Sequence, residues 1–153
     1  MQARGFTLLE LMIVMAIMAA IAGLSGPRAI QLYDSVQYQS AVRELLTALN
    51  TARYRAIRDG QHIDFMVNAD TLEYRLGDDP MQRLPEGIHL DMLSAGELSE
   101  RAEIAVYRFY PDGSSSGGHL HLLRETASSP ARAATINIDW LLGRITYQPE
   151  HSG

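Results

Sequence analysis

The chain has 153 residues, with 13 basic against 18 acidic side chains, a net charge of −5 and no cysteine. These values exclude a disulfide framework and thiol chemistry, and they argue against a general nucleic-acid surface. All 13 basic residues are arginine, which reads as a coding bias and not as a function.

The first 27 residues organise the rest. Met1 to Gly5 is a short cap carrying Arg4, followed by Phe6-Thr7-Leu8-Leu9-Glu10 and unbroken apolar sequence from Leu11 to Leu24. Phe6 to Leu24 is about 19 residues, or about 28 Å of helix at 1.5 Å per residue, close to a hydrocarbon core of about 30 Å. Arg4 and the amino terminus put positive charge on the short side, so the N-terminus is expected on the cytoplasmic face. Glu10 stands at the head of this run, where a lone carboxylate at mid-bilayer depth would cost about 2.5–3.5 kcal/mol. A partner of opposite sign is the usual reason to keep one. Snorkelling to the headgroups is the simpler alternative, since Glu10 lies close to the end of the span. A secretory signal peptide is another reading, with Ala20-Ile21-Ala22 as cleavage site and a soluble product beginning at Gly23. Glu10 and the absence of a break after Ala22 count against it.

No proline or glycine occurs from Arg28 to Arg58, and Val42, Leu45, Leu46, Leu49 and Ala56 follow an amphipathic helical period. Arg53, Arg55 and Arg58 suit the end of a helix dipole, and Asp59-Gly60 is a stop signal. The prediction is one helix over about 6–58, with Pro27 as the place for a kink. Beyond Gly60 the period shifts toward 2. Strands are expected at Ile63–Val67, Leu72–Leu76, Ile88–Met92, Ile104–Tyr110, Leu120–Leu122, Ile136–Trp140 and Ile145–Tyr147, with loops at 94–101, 111–118 and 124–132. That is about seven short, mostly antiparallel strands, in a compact domain of about 90–100 residues able to hold one modest core.

Arg4-Gly5-Phe6-Thr7-Leu8-Leu9-Glu10 resembles the cleavage and methylation motif of type IV prepilins and type II secretion pseudopilins. The resemblance implies cleavage after Gly5, N-methylation of the new terminus at Phe6, an assembly role for Glu10 opposite a neighbouring subunit's amine, and a helix-kinking role for Pro27. Such a pair of opposite charges is tolerated in an apolar bundle, where either charge alone is penalised. Farther along, Phe109-Tyr110-Pro111-Asp112-Gly113-Ser114-Ser115-Ser116-Gly117-Gly118 and Ile138-Asp139-Trp140-Leu141-Leu142-Gly143-Arg144-Ile145 resemble segments of the H-type minor pseudopilins. Residues 60–100 carry only the strand pattern.

Four other patterns have plainer readings. Gly113 to Gly117 matches G-x-S-x-G, but a nucleophile elbow needs a following helix in a larger α/β domain, and here a strand follows. His119 and His121 share a strand face without a clear third metal ligand. Asp78-Asp79 follow Gly77 in a turn that uses aspartate for local hydrogen bonds. Gly143-Arg144 resembles the start of a basic motif of DNA-binding minor pilins, but residue 146 is Thr and the net charge is negative.

The expected protein is therefore α+β and type IV pilin-like. Its parts are a leader (1–5), a transmembrane and filament-core helix (6–26), an amphipathic continuation (27–59) and a periplasmic β domain (60–153). The resemblance implies a minor pseudopilin of type II secretion at the tip or upper shaft of the periplasmic pseudopilus, anchored by a single pass in the bacterial inner membrane. No catalytic residue, metal or cofactor is expected. The implied partners are the prepilin peptidase/methyltransferase, other minor and major pseudopilins, the inner-membrane assembly platform, and secreted substrate or the outer-membrane channel; nucleic acid is not among them. The alternatives are a minor type IV pilin in pilus assembly or DNA uptake, and a soluble periplasmic binding protein.

Overall fold

The computed structural model describes residues 6–94, 103–126 and 129–150, with the side chains of 22–34, 125–126 and 129–131 left aside. The expected leader with Gly5 and most of the 94–101 loop lie outside the described residues. One helix, α1 (Leu8–Asp59, 52 residues), is followed by eight strands. Thr7 holds an extended conformation and its hydroxyl accepts from the Glu10 amide at 3.3 Å, so the helix starts two residues later than expected, behind a side-chain cap. Gly60 ends it with φ 67°, a left-handed conformation that glycine adopts without strain. Pro27 lies within this single helical element.

The strands are β1 (Ile63–Asn68), β2 (Glu73–Leu76), β3 (Gln82–Arg83), β4 (His89–Ser94), β5 (Ile104–Phe109), β6 (Gly118–Thr126), β7 (Ser129–Ile138) and β8 (Ile145–Glu150). They form two antiparallel sheets, ordered β3-β2-β1-β5 and β4-β6-β7-β8. Eight strands replace the expected seven because β3, two exposed residues without alternation, pairs with β2 through Glu73–Arg83 and Tyr74–Gln82. The expected loop at 124–132 is instead the end of a long β6–β7 hairpin, continued past a register shift between Arg124 and Thr126. Trp140, expected on a strand with Ile136 and Ile138, stands outside β7 and is exposed.

The second half of α1 lies against both sheets. Tyr38, Ala41, Val42, Leu45, Leu49, Ala52 and Ala56 are buried at spacings of 3, 4 and 7, one stripe of the helix. They meet Phe65, Val67, Tyr74 and Leu76 from β1 and β2, Tyr107 and Phe109 from β5, and Leu120, Leu122, Ala134, Ile136 and Ile138 from β6 and β7. Two tyrosines tie the layers together. The Tyr38 hydroxyl donates to the Leu122 carbonyl at 3.4 Å, and Tyr107 donates to the His119 carbonyl at 2.7 Å across the two sheets. Burial pushes both phenols above their ordinary range, Tyr38 to about 12. Gly118 packs tightly between its neighbour strand and the other sheet: at φ +134° an added Cβ would strike the Leu93 carbonyl and the Tyr107 ring. β5 is covered on both sides, as its apolar run suggests, with Val106 on the face opposite Tyr107 only 7% exposed.

Candidate functional site

Two surfaces are the candidate sites. The first is the start of α1. Phe6 is 80% exposed, and Leu8, Leu9, Leu11, Met12, Ile13, Val14, Met15, Ile17, Met18 and Ile21 are exposed around the helix. A helix apolar all round is made to be surrounded, by a large core or by lipid. Glu10 is exposed among them, at the third helical position, and its amide is already satisfied by Thr7. Threonine followed three residues later by glutamate is the capping-box pattern. Its carboxylate thus projects one turn from Phe6. The described apolar stretch, Leu8 to Ile21, is about 21 Å long at 1.5 Å per residue; among the described residues no helix is long and apolar enough to cross a membrane.

The second surface is the far corner of the β domain, where the loop after β5 meets the β7–β8 turn. Arg53 reaches from α1 to the Gly113 carbonyl at 3.2 Å. Gly143, at φ +56°, lies so close that a Cβ there would press on the Gly113 carbonyl and the Arg53 side chain. Ser115 knits the two segments: its amide donates to the Trp140 carbonyl and its hydroxyl to the Asp139 carbonyl, both at 2.9 Å. The Gly117 amide donates back to that hydroxyl at 3.1 Å. The serine of the G-x-S-x-G match is buried and its hydroxyl is used in holding the turn. Asp112 accepts from the Ser114 hydroxyl at 2.6 Å and from its amide at 3.0 Å, contacts that hold its carboxyl below the usual carboxylate range.

The remaining candidates are placed as follows. His119 and His121 do share the outer face of the second sheet, and the His121 ring lies 3.4 Å from Glu150, which also accepts from the Thr135 hydroxyl at 2.8 Å. Among the described residues no group of three or more His, Asp or Glu is arranged to hold a metal. Asp79 is engaged by Arg55 at 2.7 Å, an ion pair that a turn-and-calcium reading would not anticipate. Arg144 is exposed beside the Trp140 turn. Three long-range pairings carry no local signal, because each joins residues far apart in the chain: Arg53 with Gly113, Asp64 with Arg108 at 2.6 and 2.8 Å, and Glu44 with the Tyr74 hydroxyl at 2.6 Å.

Comparisons with known proteins agree with this geometry. Residues 1–26 match the prokaryotic N-terminal methylation motif, and residues 41–142 match the family of Type II transport protein GspH. The chain is 23% identical over 148 residues to the "Type II secretion system protein H" of Xanthomonas campestris pv. campestris, covering 97% of this chain and 85% of that protein. Its fold is similar to that of the minor pseudopilin EpsH from the Type 2 Secretion System of Vibrio cholerae. The TM-score is 0.52 at 17% identity, over 73% of this chain and 95% of that one. These matches favour neither the type IV pilin nor the soluble binding protein. The family model spans well over half of the chain, and the chain belongs to the GspH family of type II transport proteins, the minor pseudopilins of H type.

Proposed function

We propose that this chain is made as an inner-membrane precursor, is cleaved after Gly5 and N-methylated at Phe6, and then joins the periplasmic pseudopilus at its tip or upper shaft. The observation that carries this reading is the methylation motif at residues 1–26, at the head of a helix whose large apolar residues from Leu8 to Ile21 are exposed on all sides. Cleavage creates an amine at Phe6, charged near neutral pH, one turn from Glu10. In the filament, a neighbour's amine meets the Glu10 carboxylate inside the apolar bundle, where paired charges are tolerated and single ones are not. Glu10 acts in recruitment and register, and Pro27 is the position of a kink. Residues 6–26 are the membrane and filament-core segment, with the N-terminus cytoplasmic and the β domain periplasmic. The peptidase/methyltransferase, the other pseudopilins and the assembly platform are its partners, and it performs no catalysis.

Intact-mass and N-terminal analysis of the mature chain tests this directly. The expected product begins at methylated Phe6; retention of Met1–Gly5, or a start near Gly23, overturns the reading. Glu10→Ala is expected to leave processing intact and to impair incorporation into the pseudopilus tip.

A further inference from the structure

Trp140, Leu141 and Leu142 are 66%, 60% and 55% exposed. Three consecutive large apolar residues in water are a liability unless something covers them. They are also held still. The Leu142 amide donates to the Asp139 carboxylate at 2.6 Å, the Asp139 amide donates to the Arg144 carbonyl at 2.9 Å, and the buried Ser115 fixes the Trp140 and Asp139 carbonyls from behind. A surface already fixed loses little further freedom on binding. Tryptophan and arginine are the residues that most often dominate interface energetics, and both are here.

Location decides what kind of molecule covers them. The contact of Arg53 with Gly113 places this corner beside residue 53 of α1. That is about 29 residues beyond the apolar run ending at Leu24, or about 44 Å along the helix at 1.5 Å per residue. Headgroup layers add only about 5–8 Å to each side of the hydrocarbon, so the turn is out of reach of the membrane that the chain's own anchor enters. Charge narrows the choice further. The Asp139 carboxylate is used within the turn, while Arg144 is exposed and, among the described residues, has no ion-pair partner. A second copy would oppose the same protruding turn and the same arginine in a symmetric contact.

We propose that the 140–144 turn is a docking knob for a different protein of the assembly, one that offers an apolar groove rimmed by carboxylates on the membrane-distal side of this subunit. This deepens the filament reading and rests on it for the orientation of the helix. The test replaces Leu141 by photoreactive benzoylphenylalanine in the full-length chain, expressed in cells with the complete secretion apparatus. The same replacement at exposed Val36 serves as control. The expected result is an adduct from position 141, absent from position 36, with another identified subunit of the apparatus. Its yield should fall at least tenfold with Arg144→Glu and be kept with Arg144→Lys. An adduct with a second copy, with lipid or within the chain (residues 95–102 included), indifference to Arg144→Glu, or no adduct overturns the proposal. The N-terminus is analysed in the same sample. A chain starting at methylated Phe6 with no such adduct sinks the docking knob alone, whereas one retaining its leader sinks the filament reading as well.

Discussion

The two halves of α1 are one helix by hydrogen bonding and two different objects by surface. From Leu8 to Ile21 the large apolar side chains lie exposed on every side of the helix. From Tyr38 to Ala56 they form a single stripe, buried against two sheets, with Arg43, Thr47, Asn50 and Tyr54 turned outward. The difference lies in periodicity. An apolar residue at every position calls for an apolar surrounding, and one at every third or fourth position calls for a partner on one side only. The first half is thus suited to contacts between molecules and the second to contacts within one.

That contrast breaks most readily in the core. Leu45→Ala and Leu49→Ala are each expected to cost about 2–5 kcal/mol by urea unfolding, since both side chains are fully buried. Ile13→Ala, equally apolar, is expected to leave domain stability unchanged within about 0.5 kcal/mol. An equal loss from both substitutions would show that the halves are not separate. Next in size is Gly118→Ala, expected to cost about 1–3 kcal/mol, because the new Cβ meets the Leu93 carbonyl and the Tyr107 ring at a backbone conformation that suits glycine. The loss should persist in Gly118→Ser, whose Cβ is placed in the same way.

A smaller effect sharpens the comparison on the sheet surface. Arg108 donates to both oxygens of Asp64, with both side chains about a third exposed. A double-mutant cycle with Asp64→Asn and Arg108→Gln should return a coupling of about 0.5–1 kcal/mol, reduced by solvent screening and by added salt. The smallest effect concerns β8. Hydrogen bonds from Thr135 and then from His121 hold the Glu150 carboxyl below the usual carboxylate range. A lowered folded value means that this contact stabilises above the unfolded pKa, about 4.3 for glutamate, and is lost as pH falls through the folded value. Protection factors of the β8 amides, with the intrinsic exchange rate divided out, should therefore fall below about pH 4, and Glu150→Gln should remove that dependence.

Much of this could be read before any coordinates. Val42, Leu45 and Leu49 marked the buried stripe, Gly60 the helix end, and the alternation of Phe65, Val67, Tyr74 and Leu76 the inward faces of the first hairpin. Trp140 shows where such reading stops. Its parity with Ile136 and Ile138 pointed inward, but the Asp139 carboxylate captures the Leu142 amide and Ser115 captures the Trp140 carbonyl, so the chain turns and leaves the indole outside. β3 was equally hidden, since two exposed residues have no period to read.

Local pattern therefore determined the long helix, its two kinds of surface, most of the strands and the N-terminal motif, because each depends on side chains a few positions apart. The tertiary structure alone decided how the strands divide into two sheets, which backbone groups Arg53 and Ser115 satisfy, and that an apolar turn stands exposed at the far corner. Those outcomes depend on residues such as Ser115 and Trp140, or Arg53 and Gly113, that sequence distance keeps apart and only packing brings within hydrogen-bond reach.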